Sequence, residues 1–225
     1  MARLLRVTPR GIPLHIIQRG VNRQNCFILE NDYYAYIRWL KEYSIKFKVH
    51  IHAWVLMTNH VHLLCTPMLN GSVSSMMQSL GRQYVRYFNH KNSRTGTLWE
   101  GRFKSCLVET DRYLFQLYKY IELNPVRAGL AKSPEAYKWS SYHMNALGLY
   151  SDLCNPHYLY LSLDSNPEKR REAYRMLFKE DLEQSNIDEI RKSINQGTAV
   201  GSKNFKNNTK IMTGINLDRD RRHYK

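Results

Sequence analysis

The stretch VHIHAWVLMTNHVHLLCT, residues 49–66, decides the fold. It contains two largely apolar runs, 49–57 and 60–66, and only Thr58-Asn59 separates them. Runs of this length and composition are typical of β-strands, and a two-residue connection is short enough for a hairpin turn. We therefore predict two consecutive strands joined by a tight turn.

Segments on both sides of this hairpin complete a β-α-β-β-α-β order. A strand over 13–19 comes first, and a helix that Asp32 could cap follows it, with apolar residues recurring at three and four. After the hairpin we predict a helix over 73–90, a strand over 102–108 and a further helix that Asp111 could cap. This is the ferredoxin-like pattern of an α+β protein, an antiparallel sheet with helices on one face. The open face would be a natural floor for a site.

The character of the chain changes in its last third. We expect residues 1–141 to form one domain, 142–200 a mainly helical extension, and 201–225 a basic, flexible tail. Within the extension, the spacing of apolar residues predicts helices over 168–184 and 187–195.

The charge balance indicates a polyanionic partner. The 225 residues include 34 Lys and Arg against 19 Asp and Glu, a formal net charge of +15. Such an excess causes self-repulsion that a nucleic acid would relieve, and the 16 tyrosines could stack on unpaired bases. The alternative is a protein that is merely basic.

Cysteine spacing and hydropathy suggest where the protein works. The four cysteines are far apart and form no CxxC pair, so a zinc knuckle and a secreted disulfide scaffold are both unexpected. The amino terminus lacks the apolar core of a signal peptide, and no stretch approaches the roughly 20 apolar residues that span a bilayer. We expect a cytoplasmic protein with no membrane partner.

The first candidate for chemistry is His60-Val61-His62. Strand side chains alternate between faces, so both imidazoles point the same way, about 7 Å apart along the strand. Two imidazoles so placed could bind one divalent ion, although they could equally be half-exposed residues on a sheet. A second pair, His50 and His52, we interpret as structural because nothing else in the sequence converges on it.

The second candidate lies in YLFQLYKYIELNPVRAGL, where Tyr120 and Asn124 are four residues apart and share a helix face. Tyr120 could supply a phenolic nucleophile and Asn124 an amide oxygen for a hard metal. The alternatives are a core aromatic for Tyr120 and a helix N-cap before proline for Asn124.

The third candidate is GTLWEGRFKS, residues 96–105, which combines Trp99 with Arg102 and Lys104. Base stacking with phosphate contact is one interpretation, and a structural tryptophan at the start of a strand is the other. We favour proximity to DNA.

The histidine pair, the phenol and the amide oxygen together suit the cleavage of a phosphodiester bond. Breaking a phosphodiester bond requires a nucleophile and relief of negative charge on the phosphoryl oxygens, which a metal ion can provide. A tyrosine ester keeps the energy of the bond, so a later 3′-OH can reverse the step.

Three motifs in this order, WVLMTNHVHLL (54–64), GRFKS (101–105) and YIELNPVRAGL (120–130), resemble the single-tyrosine HUH transposases, specifically the REP-associated tyrosine transposases. The resemblance implies that His60, His62 and Asn124 bind Mg²⁺ or Mn²⁺. It also implies that Tyr120 is the nucleophile, forming a 5′-phosphotyrosine and freeing a 3′-OH.

The resemblance also implies a substrate, namely single-stranded DNA hairpins of repetitive extragenic palindromes, and hence a bacterial, nucleoid-associated location. Candidate DNA contacts are Trp99, Arg102, Lys104 and five further residues: Arg19, Asn22, Arg23, Arg82 and Arg86. We expect a monomer that uses its own tyrosine, although a dimer is compatible with the sequence.

Two rival functions stay open. A non-catalytic hairpin-binding protein would explain the charge and the tyrosines but not the histidine pair. A metal-dependent nuclease that activates water would turn over without forming an adduct and would tolerate Tyr120→Phe.

Overall fold

The computed structural model describes residues 6–215. The strands are β1 (Leu14–Arg19), β2 (Val49–Met57), β3 (His60–Pro67), β4 (Lys104–Val108) and β5 (Ala199–Val200). The helices are α1 (Glu30–Lys46), α2 (Ser72–Lys91), α3 (Thr110–Glu122), α4 (Asn124–Arg127), α5 (Tyr142–Asn145), α6 (Tyr158–Leu161), α7 (Pro167–Met176), α8 (Gln184–Gln196) and α9 (Lys203–Thr213). Short 3-10 turns occupy Val21–Arg23 and Pro134–Ala136.

The sheet has the order β2-β3-β1-β4-β5. The first four strands are antiparallel to their neighbours, and the chain visits them in the β-α-β-β-α-β order that the sequence predicts. The α+β class is confirmed. The purely antiparallel sheet is not, because the two-residue β5 returns from the carboxy-terminal region and pairs parallel with β4.

Helices cover both faces of the sheet. On one face, α1 and α2 pack against the apolar side of β1 through residues such as Tyr36, Leu80 and Tyr84. On the other, α3 and α8 bury Leu117 and Ile190 against the opposite side of the sheet. The expectation of helices on one face only was therefore wrong, because α3 and α8 cover the face expected to be open.

Two predicted caps have different outcomes. Asp32 is buried inside α1, where its Oδ2 accepts hydrogen bonds from the backbone N–H of Ile28 and Leu29 at 2.8 and 2.9 Å. It therefore caps the helix from the third helical position. Asp111 lies exposed in the first turn of α3, which has no side-chain cap, so the prediction that it caps this helix was wrong.

The helix expected over 168–184 is shorter than predicted, because α7 ends at Met176 and residues 177–183 are not helical. Phe178, two residues beyond the end of α7, has its ring centroid 5.0 Å from that of Tyr142 and 5.2 Å from that of Tyr174.

The beginning of the region expected as a flexible tail is helical. Ser202 caps α9 by accepting a hydrogen bond from the backbone N–H of Phe205 at 3.2 Å. The remainder of that prediction, residues 216–225, lies outside the described residues. Within residues 6–215, none of the helices has the length and apolar character needed to span a membrane.

Candidate active site

The two histidines of β3 lie side by side. Because β3 is regular, His60 and His62 point to the face that α3 covers, and their ring centroids are 5.0 Å apart with an interplanar angle of 80°. His60 is half-buried, whereas only 2% of the His62 surface is exposed. The pair thus sits at the rim of the core.

Tyr120 reaches this pair from α3. Its ring centroid is 5.7 Å from that of His62, and 5% of its surface is exposed. The structure therefore brings Tyr120 to the pair His60 and His62, from which about 60 positions separate it in the sequence.

His15 of β1 is a member of this cluster that the sequence analysis missed. Its Nε2 shares a 2.8 Å hydrogen bond with Nδ1 of His62, and its ring lies 5.7 Å from that of Tyr120. Alternation along β1 places His15 on the same face as Ile17, and Ile17 pairs directly with His62. Detecting it would have required the register between β1 and β3 as well as the periodicity of each strand.

Asn59, in the turn before β3, holds the other histidine. Nδ1 of His60 donates to Oδ1 of Asn59 at 2.6 Å, since a carbonyl oxygen can only accept. Nδ1 of both His60 and His62 is therefore used within the protein. Neither Nε2 has a hydrogen-bond partner among residues 6–215.

Burial keeps these imidazoles neutral. It lowers the pKa of His15 to about 3. Burial, with Arg19 acting in the same direction, lowers the pKa of His60 to about 4. The pKa of His62 is well below its usual value, first through burial and then through His15 and other neighbouring groups. Neutral imidazoles carry the lone pair that a metal ion needs.

Asn124 lies one turn beyond Tyr120, at the start of α4, and is half-buried. Its Nδ2 donates to the backbone carbonyl of Tyr120 at 2.9 Å and does not cap the new helix, so the N-cap alternative was wrong. This orientation leaves Oδ1 free to accept. No hydrogen bond joins Asn124 to either histidine of β3 in the described part of the chain.

Arg127 is a second residue that the sequence analysis missed. Its guanidinium carbon lies 4.3 Å from the centroid of the Tyr120 ring, and Nη2 donates to the Tyr120 carbonyl at 2.9 Å. Nη1 is buried and has no partner among the described residues. Burial lowers the pKa of Arg127, and Tyr120 partly offsets this effect. A cation with an unused donor thus lies against the candidate nucleophile.

A buried carboxylate fixes α3 from the other side. Glu122 is fully buried, and its oxygens accept from Ser141 at 2.5 Å, Asn145 at 2.9 Å and Tyr174 at 2.8 Å. Burial raises the pKa of Glu122 to about 7, although these three hydrogen bonds act in the opposite direction. The helix that carries Tyr120 is therefore tied to the region after residue 140.

A basic cleft opens next to the histidine pair. Arg19 pairs with His60 across the strands, and Lys104 pairs with Ile17 on the other side of β1. Arg19, Arg102 and Lys104 line a cleft of about 170 Å³, in which Glu100 is the one acidic lining residue of the described chain and Asn195 of α8 accepts from Lys104 at 3.0 Å. The cleft brings three predicted DNA contacts together.

The turn after β1 presents two more predicted contacts. Asn22 and Arg23 are exposed, and both have left-handed backbone angles, with φ of 51° and 57°. Non-glycine residues rarely adopt this conformation outside functional sites or tight turns. The turn lies at the same end of the sheet as Asn59.

The remaining predicted contacts lie elsewhere. Trp99 is in the core, stacked against Tyr84 at 5.9 Å and 6% exposed, which favours the structural alternative over base stacking. Arg82 and Arg86 are exposed on α2, on the sheet face opposite His60. The structure does not bring these three together with the histidines.

Comparison with known proteins identifies related chains. A family model described as "Transposase IS200 like" matches residues 10–124. A REP-associated tyrosine transposase of Escherichia coli (strain K12) is 28% identical over 102 residues, which is 44% of this chain and 59% of that protein. The chain therefore matches about three fifths of the length of this curated relative.

A solved structure supports the fold. It is a REP-associated tyrosine transposase bound to a REP hairpin, with 22% sequence identity and a TM-score of 0.56. The likeness covers 70% of this chain and 93% of the solved one. At this identity the likeness shows the fold alone.

Proposed function

This chain belongs to the IS200-like transposase family, and from that membership we propose that it nicks and rejoins single-stranded DNA through a covalent bond to Tyr120. The observation that carries the proposal is the meeting of Tyr120 with the histidine pair, 5.7 Å from the His62 ring. A phenol beside two neutral, partly free imidazoles is the set of groups that metal-assisted tyrosine chemistry needs.

The proposed substrate is a palindromic DNA hairpin with unpaired flanking nucleotides. The E. coli relative is a REP-associated transposase, and the similar solved structure was bound to a REP hairpin. The charge of +15 and the cleft lined by Arg19, Arg102 and Lys104 support a polyanionic ligand. Because the nucleophile and the histidines come from one chain, we further propose a monomer acting with its own tyrosine.

The side chains present fit a divalent cation. His60 and His62 each have Nδ1 satisfied within the protein and Nε2 without a protein partner, as outer-shell bonding of metal ligands requires. Asn124 would add an amide oxygen. This mixed nitrogen and oxygen set suits Mg²⁺ or Mn²⁺, and Mn²⁺ tolerates imidazole ligands better. When bound, the ion would neutralise charge on the scissile phosphate.

Tyr120 would act as follows. Its hydroxyl oxygen attacks the phosphorus, a bond from Oη to phosphorus forms, and the bond from phosphorus to the 3′ oxygen breaks. The phenolic proton is lost, and the 3′ oxygen leaves as a hydroxyl after taking up a proton. The product is a 5′-phosphotyrosine, and attack by a 3′-OH reverses the step without hydrolysis.

Arg127 would assist this step. Its guanidinium holds the Tyr120 backbone carbonyl and lies over the ring, so it limits the positions that the hydroxyl can take. Its unused Nη1 could donate to a phosphoryl oxygen.

The decisive test is the covalent adduct. A hairpin DNA labelled at its 3′ end, on the fragment that would stay joined to Tyr120, is incubated with the protein and Mn²⁺, and the products are separated by denaturing electrophoresis. We expect an adduct with the wild type and none with Tyr120→Phe. Tyr118→Phe is the matched control, since Tyr118 is fully buried on the same helix but contacts Tyr174 instead of the histidines.

An adduct that persists in Tyr120→Phe would refute the assignment of Tyr120 as the nucleophile. Multiple turnover without an adduct in the wild type would favour a water-activating nuclease, and hairpin binding without any cleavage would favour a binding protein.

A further inference from the structure

Asn59 contacts two parts of the site with one carboxamide group. Its Oδ1 accepts from Nδ1 of His60 at 2.6 Å, and its Nδ2 donates to the backbone carbonyl of Arg23 at 3.1 Å. Its own backbone carbonyl accepts from the N–H of Gly20 at 2.9 Å. The turn between β2 and β3 thus connects the histidine pair to the segment 20–24.

Segment 20–24 has a conformation that needs external support. Asn22 and Arg23 are both left-handed, and a Cβ atom at Gly20 would lie only 2.3 Å from the carbonyl oxygen of Gln24. The segment is anchored at its start by the hydrogen bond from Val21 N–H to the Leu98 carbonyl. At its strained centre, the anchor is the bond from Asn59 to Arg23.

The two side-chain bonds of Asn59 require the same orientation of the carboxamide. If the group rotated by half a turn, its oxygen would face the Arg23 carbonyl and its NH₂ would face Nδ1 of His60. The first contact is repulsive, and the second would move the imidazole proton to Nε2. The orientation of the Asn59 carboxamide therefore determines both the conformation at Arg23 and the tautomer of His60.

We propose that Asn59 is a positioning residue that couples the DNA-contacting turn 20–24 to the His60 imidazole. DNA bound at this turn favours the orientation of Asn59 that leaves Nε2 of His60 free, so DNA and the divalent ion strengthen each other's binding. Thermodynamic linkage requires the two effects to be equal in size. The inference rests on the proposed function, in which His60 binds the ion and the turn contacts DNA.

Two variants separate the two bonds. Asn59→Ala removes both. Asn59→Asp keeps an acceptor for His60 but replaces the donor to Arg23 with a repelling oxygen. Asn92→Ala is the matched control, because Asn92 is also half-buried and also donates its Nδ2 to a backbone carbonyl, that of Phe88, at the end of α2.

Three measurements are made on the full chain. Long-range ¹H–¹⁵N NMR of the histidine rings gives the tautomer of His60, calorimetric titration without DNA gives the Mn²⁺ affinity, and fluorescence anisotropy in EDTA and again in Mn²⁺ gives the affinity for a hairpin without and with the ion. Mn²⁺ should tighten hairpin binding more in the wild type than in Asn59→Ala. For Asn59→Ala we expect a mixed tautomer, Mn²⁺ affinity reduced about tenfold, and weaker hairpin binding. For Asn59→Asp we expect the wild-type tautomer, retained Mn²⁺ affinity and weaker hairpin binding. Asn92→Ala should match the wild type in all three.

The proposal is overturned if Asn59→Ala keeps both the Nδ1–H tautomer and the Mn²⁺ affinity. It is also overturned if the variant loses Mn²⁺ affinity but binds the hairpin normally in EDTA, because the two ends would then be independent. Should Asn59→Ala not fold, Asn59→Asp decides by a criterion of its own: hairpin binding in EDTA as tight as that of the wild type would overturn the proposal. A wild type that forms no adduct and binds no Mn²⁺ refutes the proposed function instead, so the two failures are distinguishable.

Discussion

Two His-x-His pairs occupy neighbouring strands, and they behave differently. In β3, His60 and His62 share a face, and each uses Nδ1 on a protein neighbour while its Nε2 has no partner within residues 6–215. In β2, His50 is exposed, whereas His52 is buried and both of its ring nitrogens are bonded. Identical spacing therefore gives a candidate metal site in one strand and a structural residue in the next.

The local backbone explains the difference. A bulge interrupts the pairing of β2 between Ile51 and Ala53, and His52 is the extra residue. Its Nδ1 donates to the carbonyl of Asn155 at 2.6 Å, and its Nε2 accepts from the Thr66 hydroxyl at 2.8 Å. These bonds support the structural interpretation of this pair. A candidate metal ligand thus differs from a structural imidazole in whether its Nε2 is bonded to another residue of the protein. The spacing of the histidines in the sequence cannot reveal this difference.

The largest expected effect is on metal affinity. His62→Ala should weaken Mn²⁺ binding more than about 100-fold, because loss of an outer-shell partner alone costs roughly 10- to 100-fold. His50→Ala should leave it unchanged. Calorimetric titration of both variants checks this, and equal losses would mean that the comparison between the strands is mistaken.

The second effect is on stability, and it is expected in β2, whereas the effect on metal affinity is expected in β3. His52→Ala should lower the free energy of unfolding by about 2 kcal/mol, because it leaves the Asn155 carbonyl and the Thr66 hydroxyl without their partner. Urea denaturation measures the change. A loss below about 0.5 kcal/mol would indicate that water replaces the imidazole.

Acid should destabilise both regions. Burial lowers the pKa of His15 to about 3 and that of His52 to about 4, and burial with Arg19 lowers that of His60 to about 4. A histidine with a depressed pKa in the folded state stabilises the fold fully above its unfolded value of about 6.5. This stability is lost as the pH falls toward 4, on the order of 1 kcal/mol or more for each histidine.

Thermal melts between pH 7 and pH 4 test the acid effect. The melting temperature should fall steadily over this range, and less steeply in His52→Gln, which cannot be protonated there. Protonation of Glu122, whose pKa burial raises to about 7, opposes this fall in both proteins, so the two pH dependences are compared with each other. An identical pH dependence in His52→Gln and the wild type would contradict the assignment of a neutral, buried imidazole to His52.

The smallest expected effect is on the exposed member of the structural pair. His50→Ala should change the free energy of unfolding by less than about 0.5 kcal/mol, as is usual for surface positions. Urea denaturation in parallel with His52→Ala checks it. A larger loss would show that the whole pair, and not His52 alone, supports the bulge.

Much of the frame follows from the sequence alone. Periodicity and turn residues predict the β-α-β-β-α-β order, and strand alternation predicts that His60 and His62 share a face. Helical spacing similarly puts Tyr120 and Asn124 one turn apart. These are properties of single elements, which local patterns determine.

The rest depends on how elements meet. His15 joins the site through the pairing of β1 with β3, and Arg127 joins it because α4 continues beyond a proline and folds the side chain back over Tyr120. The sequence did not predict that helices cover the second face of the sheet. This coverage arises because α8 and β5 pack against the sheet and against β4, which are distant from them in the sequence. Trp99 looked like a DNA contact because its burial comes from Tyr84, which is remote in sequence.

The bonds of Glu122 bear on how the protein can be shortened. The family match ends at residue 124, yet Glu122 is satisfied by Ser141, Asn145 and Tyr174. A fragment trimmed to the matched segment would retain Tyr120 and the histidines but would leave the buried Glu122 carboxylate without its hydrogen-bond partners. A minimal working version of this protein must therefore extend past Tyr174, and truncation series should begin beyond that point.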